Sequence, residues 1–276
     1  MTPVARALWF IESRVECGAT LAEIAHFAGV SRYHLCRAFG EATGRSVMRY
    51  VRARRLTLAA RQLADGAPDI LTVALDAGYG SHEAFTRAFR EQFALTPEAV
   101  RTRRNIEALT LVEPIRMGEP AFIELAPPRF ESHGALLVAG LGERYRFETN
   151  HGIPAQWQRF IPHIGHMPGQ VGMITYGVCC NSDGSGNFDY VAGVEVTSFD
   201  DVPEDFGRVR IPARRYAVFT HHHVATMRGA MRTIWTRWLP ASGHEVADAP
   251  DFERYDERFD PATGTGAIEI WLPLAR

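Results

Sequence analysis

Two short runs of the chain carry arginine beside small polar and aromatic side chains at helical spacing. The first holds Arg32, Tyr33, Cys36 and Arg37; the second holds His82, Glu83, Thr86, Arg87 and Arg90. Arginine can pair bidentately with guanine, and Thr or His can reach base edges. Glutamate can accept from a cytosine amino group, or reject wrong sequences by repelling phosphate. Residues of these types along one helix face suit the major groove of DNA; a merely solvated helix face is the plainer alternative. A second constellation lies near the C-terminus, where Glu253 and Tyr255, and Glu269 and Trp271, sit in aromatic-rich sequence. A carboxylate withdrawn from water needs a partner. A bound cation could supply it, helped by cation–π contact, with Trp157, Tyr190 and Tyr216 as further walls. The alternative is that each Glu pairs with an arginine or points to water.

The elements that must position the first set form a repeat. Ile24–Ala25–His26–Phe27–Ala28–Gly29–Val30–Ser31 matches Val73–Ala74–Leu75–Asp76–Ala77–Gly78–Tyr79–Gly80–Ser81. Each reads as a short helix ended by glycine, a turn, and a serine that caps the next helix. The second helix of each pair has apolar residues four and eight positions after its serine: Leu35 and Phe39, then Phe85 and Phe89. Two helices joined by a tight Gly-containing turn are a helix-turn-helix. Projected at ~100° per residue, Tyr33, Arg37 and Gly40 face away from the apolar side, with Cys36 on the flank. Glu83, Arg87 and Arg90 do the same in the second, flanked by His82 and Thr86. Between the repeats, Val47 to about Ala64 reads as one long helix packed between two lobes, with Arg49, Arg52, Arg54 and Arg55 divided between phosphate contacts and solvent.

Charge supports this reading. The chain of 276 residues has a formal charge of −2, but residues 1–105 carry +5 and residues 106–276 carry −7. A basic third fused to an acidic remainder suits a polyanion-binding module joined to something else. Residues 106–130 read as a linker, with Pro114, Pro120, Pro127 and Pro128 in and near the irregular stretch, expected to pack partly on the domain that follows. Residues 131–276 read as strand, helix, strand, strand, twice over. Leu136–Leu141, Ile153–Ile164, Val171–Cys180 and Phe188–Val196 form the first set. Tyr216–His221, Val224–Leu239, Phe252–Tyr255 and Ala267–Trp271 form the second. Such duplication suggests an α+β domain with pseudo-twofold symmetry.

The N-terminal third resembles the AraC-type transcription regulators. The residues that carry this are Ile24–Ala25 to Gly29, Ser31 to Phe39, Gly44, Arg55–Leu56, and Ala74 to Pro97 with Arg101. Ala94 stands where the family usually has glycine. The resemblance implies an all-α double helix-turn-helix domain whose recognition helices enter successive major grooves, ~34 Å apart. By position it implies base reading by Tyr33, Cys36 and Arg37, and by His82, Glu83, Thr86 and Arg87. The remainder resembles the GyrI-like effector-binding domain, on Phe188–Asp189–Tyr190, Gly193–Val196, Ile211–Pro212, Tyr216–Phe219, Trp238–Pro240, Phe252–Glu253–Arg254–Tyr255 and Ile268–Trp271. That implies a cleft between the two modules for small, often aromatic or cationic, molecules.

The expectation is therefore a cytoplasmic regulator that binds double-stranded DNA and a small-molecule effector. RNA polymerase is expected as a further partner, with no membrane and no cofactor. Two other readings remain: a hydrolase using Glu253 and Tyr255, as some GyrI-like domains do, or a protein-binding module. No apolar run approaches the roughly 18–20 residues of a membrane span, and the N-terminus lacks signal-peptide features. Four cysteines, two of them adjacent, suit a reducing compartment. His221–His222–His223 and Cys179–Cys180 lack zinc spacing.

Overall fold

The computed structural model describes residues 2–15, 18–67, 69–115, 122–183 and 185–275. Cys17, Gly184 and residues 116–121 of the expected linker, with Pro120, lie outside them.

The N-terminal part consists of α1 (Pro3–Ser13), α2 (Leu21–Ala28), α3 (Arg32–Thr43), α4 (Val47–Ala64), α5 (Ile70–Asp76), α6 (His82–Phe93) and α7 (Pro97–Arg103). Each helix starts on a side-chain cap that satisfies an otherwise unpaired N–H. Thr20 and Glu23 make a reciprocal capping box at α2, and Ser31, Ser46 and Ser81 cap α3, α4 and α6. Gly29 ends α2 in the left-handed conformation, as its place in the repeat predicts. Ala94 ends α6 with φ of 56°, a conformation that a Cβ disfavours.

The long helix α4 serves two cores. Val47, Tyr50 and Val51 join the first unit's core, whereas Leu56, Ala59, Ala60 and Leu63 join Phe85, Phe89 and Phe93 of the second. Arg54 and Arg55 do not face outward as expected. Arg54 is buried, pairs with Glu12 at 2.8 Å and donates to the Val112 carbonyl; Arg55 donates to the Val15 carbonyl. The segment after α7 packs first on α4 and then, through Ile123, on the helix Met227–Thr233 of the domain that follows. Val112 N–H donates to Thr57 Oγ1, and Ile115 N–H to the Tyr50 hydroxyl.

The C-terminal part is one antiparallel sheet. Its elements are β1 (Arg129–His133), β2 (Leu136–Arg146), α8 (Ile153–Phe160), β3 (Gln170–Cys180), β4 (Asn187–Val196), β5 (Gly207–Ile211), β6 (Arg214–His223), α9 (Met227–Thr233), a π turn Ile234–Trp238, α10 (Leu239–Ser242), β7 (Asp251–Asp260) and β8 (Thr265–Pro273). The strand order β1-β6-β8-β7-β3-β4-β2-β5 sets equivalent strands of the two modules symmetrically about the β7–β3 pair. The duplicated pattern is present, with one strand added to each module. β1 crosses to the edge of the second module and β5 to the edge of the first.

Register assigns the faces, since directly opposed residues of antiparallel strands share one. Asp251↔Cys179, Glu253↔Gly177 and Cys179↔Tyr190 set one face, against which α8 packs. Phe252↔Trp271 and Val218↔Trp271 set the other, with its own core of Leu136, Val138, Val178 and Tyr216. The two parts share a core as well. Leu35, Phe39 and Tyr33 belong to the same cluster as Trp235, Ile234 and Leu272.

Candidate functional site

The acidic and aromatic residues expected to line a cleft meet on the helix-bearing face of the sheet, where β3, β4 and β7 lie side by side. Glu253 sits on β7. The hydroxyls of Tyr190 and Tyr255 donate to Glu253 Oε2 at 2.8 and 2.9 Å, and Trp157 Nε1–H donates to the Tyr190 hydroxyl at 3.0 Å. The Trp157 and Tyr255 rings meet edge-on at 5.3 Å. Burial pushes the Glu253 carboxyl above its ordinary value, and the two hydroxyl donors only partly oppose this. Burial likewise holds both tyrosines far above theirs. Among the described residues Glu253 makes no ion pair. Gly177 is required beneath it: a Cβ would lie 2.6 Å from Glu253 Oε2 and collide with the Tyr190 hydroxyl. Gln156 of α8 fixes the helix above by donating to the Leu141 and Tyr190 carbonyls.

The structure thus brings together Trp157, Tyr190, Glu253 and Tyr255. It separates the other three expected pocket residues, Tyr216, Glu269 and Trp271, which lie on the opposite face. Glu269 is buried in an arginine cluster, 2.9 Å from Arg129, 3.0 Å from Arg254 and 3.2 Å from Arg258. Burial would raise its carboxyl, but Arg129, Trp271 and Arg254 together hold it below the ordinary value. Trp271 stacks on Phe252 and donates to Glu269 Oε2. Tyr216 packs edge-on to both rings.

The two recognition helices differ in what surrounds them. On α6, His82, Glu83, Arg87 and Arg90 are exposed, with Thr86 half-buried. On α3 only Arg32 is exposed; Tyr33, Cys36 and Arg37 are buried. The outward direction read from the sequence is right with respect to the helix's own unit, but the sheet domain covers it. Arg37 is 2% exposed, and its Nη2 donates to Asp251 Oδ2 at 2.7 Å. The Tyr33 hydroxyl donates to Asp251 Oδ1 at 2.6 Å. The Arg37 guanidinium carbon lies 5.6, 5.9 and 5.4 Å from the ring centroids of Phe147, Phe188 and Trp235. Burial works against its charge, and Asp251 together with Cys179, Tyr33 and Glu41 more than offsets this. Burial also pushes the Cys36 thiol up to about 12. Asp251, Phe147 and Phe188 were not anticipated as site residues. The only hint was that Asp251 precedes Glu253 by two and so shares its face.

Comparison with known proteins agrees with this layout. The family described as "GyrI-like small molecule binding domain" matches residues 126–275, and a helix-turn-helix domain matches residues 24–103. The chain belongs to the GyrI-like family. A relative matching almost the whole length is the transcriptional regulator Rob of Salmonella typhimurium. It is 26% identical over 286 residues, covering 98% of this chain and 96% of the relative. The transcriptional regulator BrlR of Pseudomonas aeruginosa is 36% identical over 149 residues, 53% of this chain and 54% of the relative. The solved structure of SAV2435 bound to tetraphenylphosphonium covers 54% of this chain and 94% of its own, with 19% identity and a TM-score of 0.46. The expected class stands: an AraC-type DNA-binding transcription regulator with a GyrI-like effector-binding domain. Among the described residues no helix is long and apolar enough to cross a membrane.

Proposed function

We propose that residues 1–105 read DNA, that residues 131–276 bind a hydrophobic cation, and that residues 106–130 join the two. One observation carries the ligand class. The Glu253 carboxylate, withdrawn from water, has hydroxyl partners and aromatic walls but, among the described residues, no ion-pair partner. A monovalent cation with apolar substituents supplies the missing charge while its substituents meet the rings of Trp157 and Tyr255. Glu253 is the counter-ion in this reading, Tyr190 and Tyr255 hold it in place, and Trp157 is a wall.

On the DNA side, Arg87 is the leading base reader of α6, with His82, Glu83 and Thr86 around it and Arg90 on phosphate. Tyr33, Cys36, Arg37 and Arg32 are the equivalent set on α3. Phosphate contacts give salt-dependent affinity and base contacts give sequence. A promoter-bound regulator of this kind acts on RNA polymerase in the cytoplasm, so polymerase is the proposed downstream partner. The cleft binds without turnover in this reading, since both hydroxyls are spent on holding one carboxylate oxygen.

Titration of tryptophan fluorescence with benzyltriethylammonium, and with a neutral analogue of equal size, tests the ligand class. Saturable binding of the cation and at least tenfold weaker binding of the neutral compound is expected; equal binding refutes it. Selection from a random duplex library tests the DNA reading. Enrichment of a defined site is expected, and no enrichment at any salt concentration counts against it.

A further inference from the structure

Beside Glu253, the same face of the sheet holds a cation from the helical part, Arg37, on a second carboxylate, Asp251. Asp251, Glu253 and Tyr255 alternate along β7 on one face. Glu253 faces Tyr190 and Trp157, while Asp251, two residues away, holds Arg37 of α3. Around the guanidinium stand Phe147, Phe188 and Trp235. This is the chemistry of a site for an organic cation: an anion beneath and aromatic faces around.

The fit extends along the helix. At Gly40, one turn after Cys36, a Cβ would lie 2.6 Å from the Phe147 ring, so glycine lets α3 seat against it. Arg232 donates from α9 to the Glu41 carbonyl at 3.0 Å. α3 is also the helix whose outward face matches the base-reading positions. While Arg37 and Tyr33 are held by Asp251, neither can reach a base edge.

We infer that the sheet domain masks the first recognition helix, with Arg37 as the resident cation of the effector cleft, and that a cationic effector frees α3 for DNA by displacing it. The inference rests on the proposed roles of α3 and of the cleft. It makes the two helix-turn-helix units unequal. α6 engages DNA in the closed arrangement, and α3 engages only after the domains part. Closure is also incompletely satisfied. Among the described residues Arg37 Nε is buried without a hydrogen-bond partner, a cost that parting would relieve.

The full-length chain with its selected duplex tests this, using Asp251→Asn and two readouts. The first is the rate of Cys36 alkylation by iodoacetamide, followed by peptide mass spectrometry, since that thiol is buried on α3 within reach of Asp183 of the sheet domain. The second is the hydroxyl-radical footprint. Without ligand, the wild-type chain should protect one element, the one read by α6, and alkylate slowly at Cys36. Asp251→Asn should raise the Cys36 rate at least tenfold and extend protection to a second element one helical turn away. An unchanged rate and an unchanged footprint overturn the inference, as does protection of both elements by the ligand-free wild type.

The wild-type chain gives an arm that does not depend on folding of the variant. Saturating benzyltriethylammonium should raise the Cys36 rate at least tenfold. Binding, seen as fluorescence quenching, without a change in that rate overturns displacement. Failure of the cation to bind instead sinks the proposed ligand class and the displacement step with it, while Asp251→Asn still decides masking. Loss of every footprint in both proteins sinks the DNA-reading assignment itself.

Discussion

Replacing Glu253 by glutamine removes one charge from the cleft and little else. Glutamine is isosteric, and its Oε1 can still accept from Tyr190 and Tyr255, which lie 2.8 and 2.9 Å from the present carboxylate oxygen. The lost interaction with a cation about 5 Å away, at an effective dielectric of about 20, is ~3 kcal/mol. Residual attraction to the amide dipole reduces this, so a loss of about 2–3 kcal/mol is expected, or roughly 30- to 150-fold in Kd. Isothermal titration with benzyltriethylammonium measures it, with a neutral analogue as the control that should change less than threefold. pH gives a second signature. Burial raises the Glu253 carboxyl above 4.5, so wild-type affinity for the cation should fall with acidification at higher pH than for an ordinary carboxylate. The variant should be flat. The sign for stability is opposite. A raised folded-state pKa contributes stability that is complete below 4.5 and is lost as pH rises through the folded value. Ligand-free Glu253→Gln should therefore be at least as stable as wild type at pH 7. Equal cation affinity in the two proteins would refute the role of the charge.

Three further outcomes follow from other parts of the structure. Arg87→Ala should relax preference at one base position by about 1–3 kcal/mol in competition binding if the exposed Arg87 of α6 reads a base as proposed; equal loss on every sequence would make it a phosphate contact. Ala94→Gly should stabilise the chain by roughly 0.5–1 kcal/mol in urea unfolding. The gain comes from relief of the strain at φ 56°, partly offset by the extra freedom of unfolded glycine. Asp256 is held down at about 2, chiefly by its hydrogen bonds with Arg258. Its contribution to stability is present above pH 3.8 and lost as pH falls through about 2, so Asp256→Asn should flatten that part of the acid unfolding curve.

The repeat was readable because caps and glycines are local instructions: Ser31, Ser81 and Gly29 act within a few residues of where they stand. Glu253 was readable for a related reason, as a charge inside an aromatic strand. Glu269 has the same local appearance and the opposite outcome. The difference is register. Glu269 lies opposite Arg254, while Glu253 lies opposite Ile270 and Gly177. From Ile268 to Pro273, β8 is buried on both faces, so its sequence has no alternation from which to tell them apart. The fate of Arg37 was equally hidden. Helical projection tells which side turns from the unit's own core, and Tyr33, Cys36 and Arg37 do turn from it. What then covers that side is set by Asp251, 214 residues away in the chain.

The Arg37–Asp251 pair also bounds how such a protein can respond. Two buried charges repay little more than their own desolvation, but removing one partner leaves the other stranded at a cost of about 3–5 kcal/mol. Opening is therefore favourable only if both ends find new partners together: Arg37 on a DNA base edge or phosphate, and Asp251 with a ligand cation or water. A ligand moves this equilibrium only by its differential affinity for the open state, and a shift from 1:99 to 99:1 needs about 5.5 kcal/mol. A cation taking the place of the guanidinium has no site in the closed state, so all of its binding energy in that position is differential. A ligand resting on Glu253 and Trp157 alone, without displacing Arg37, could bind closed and open forms alike and would change nothing at the DNA.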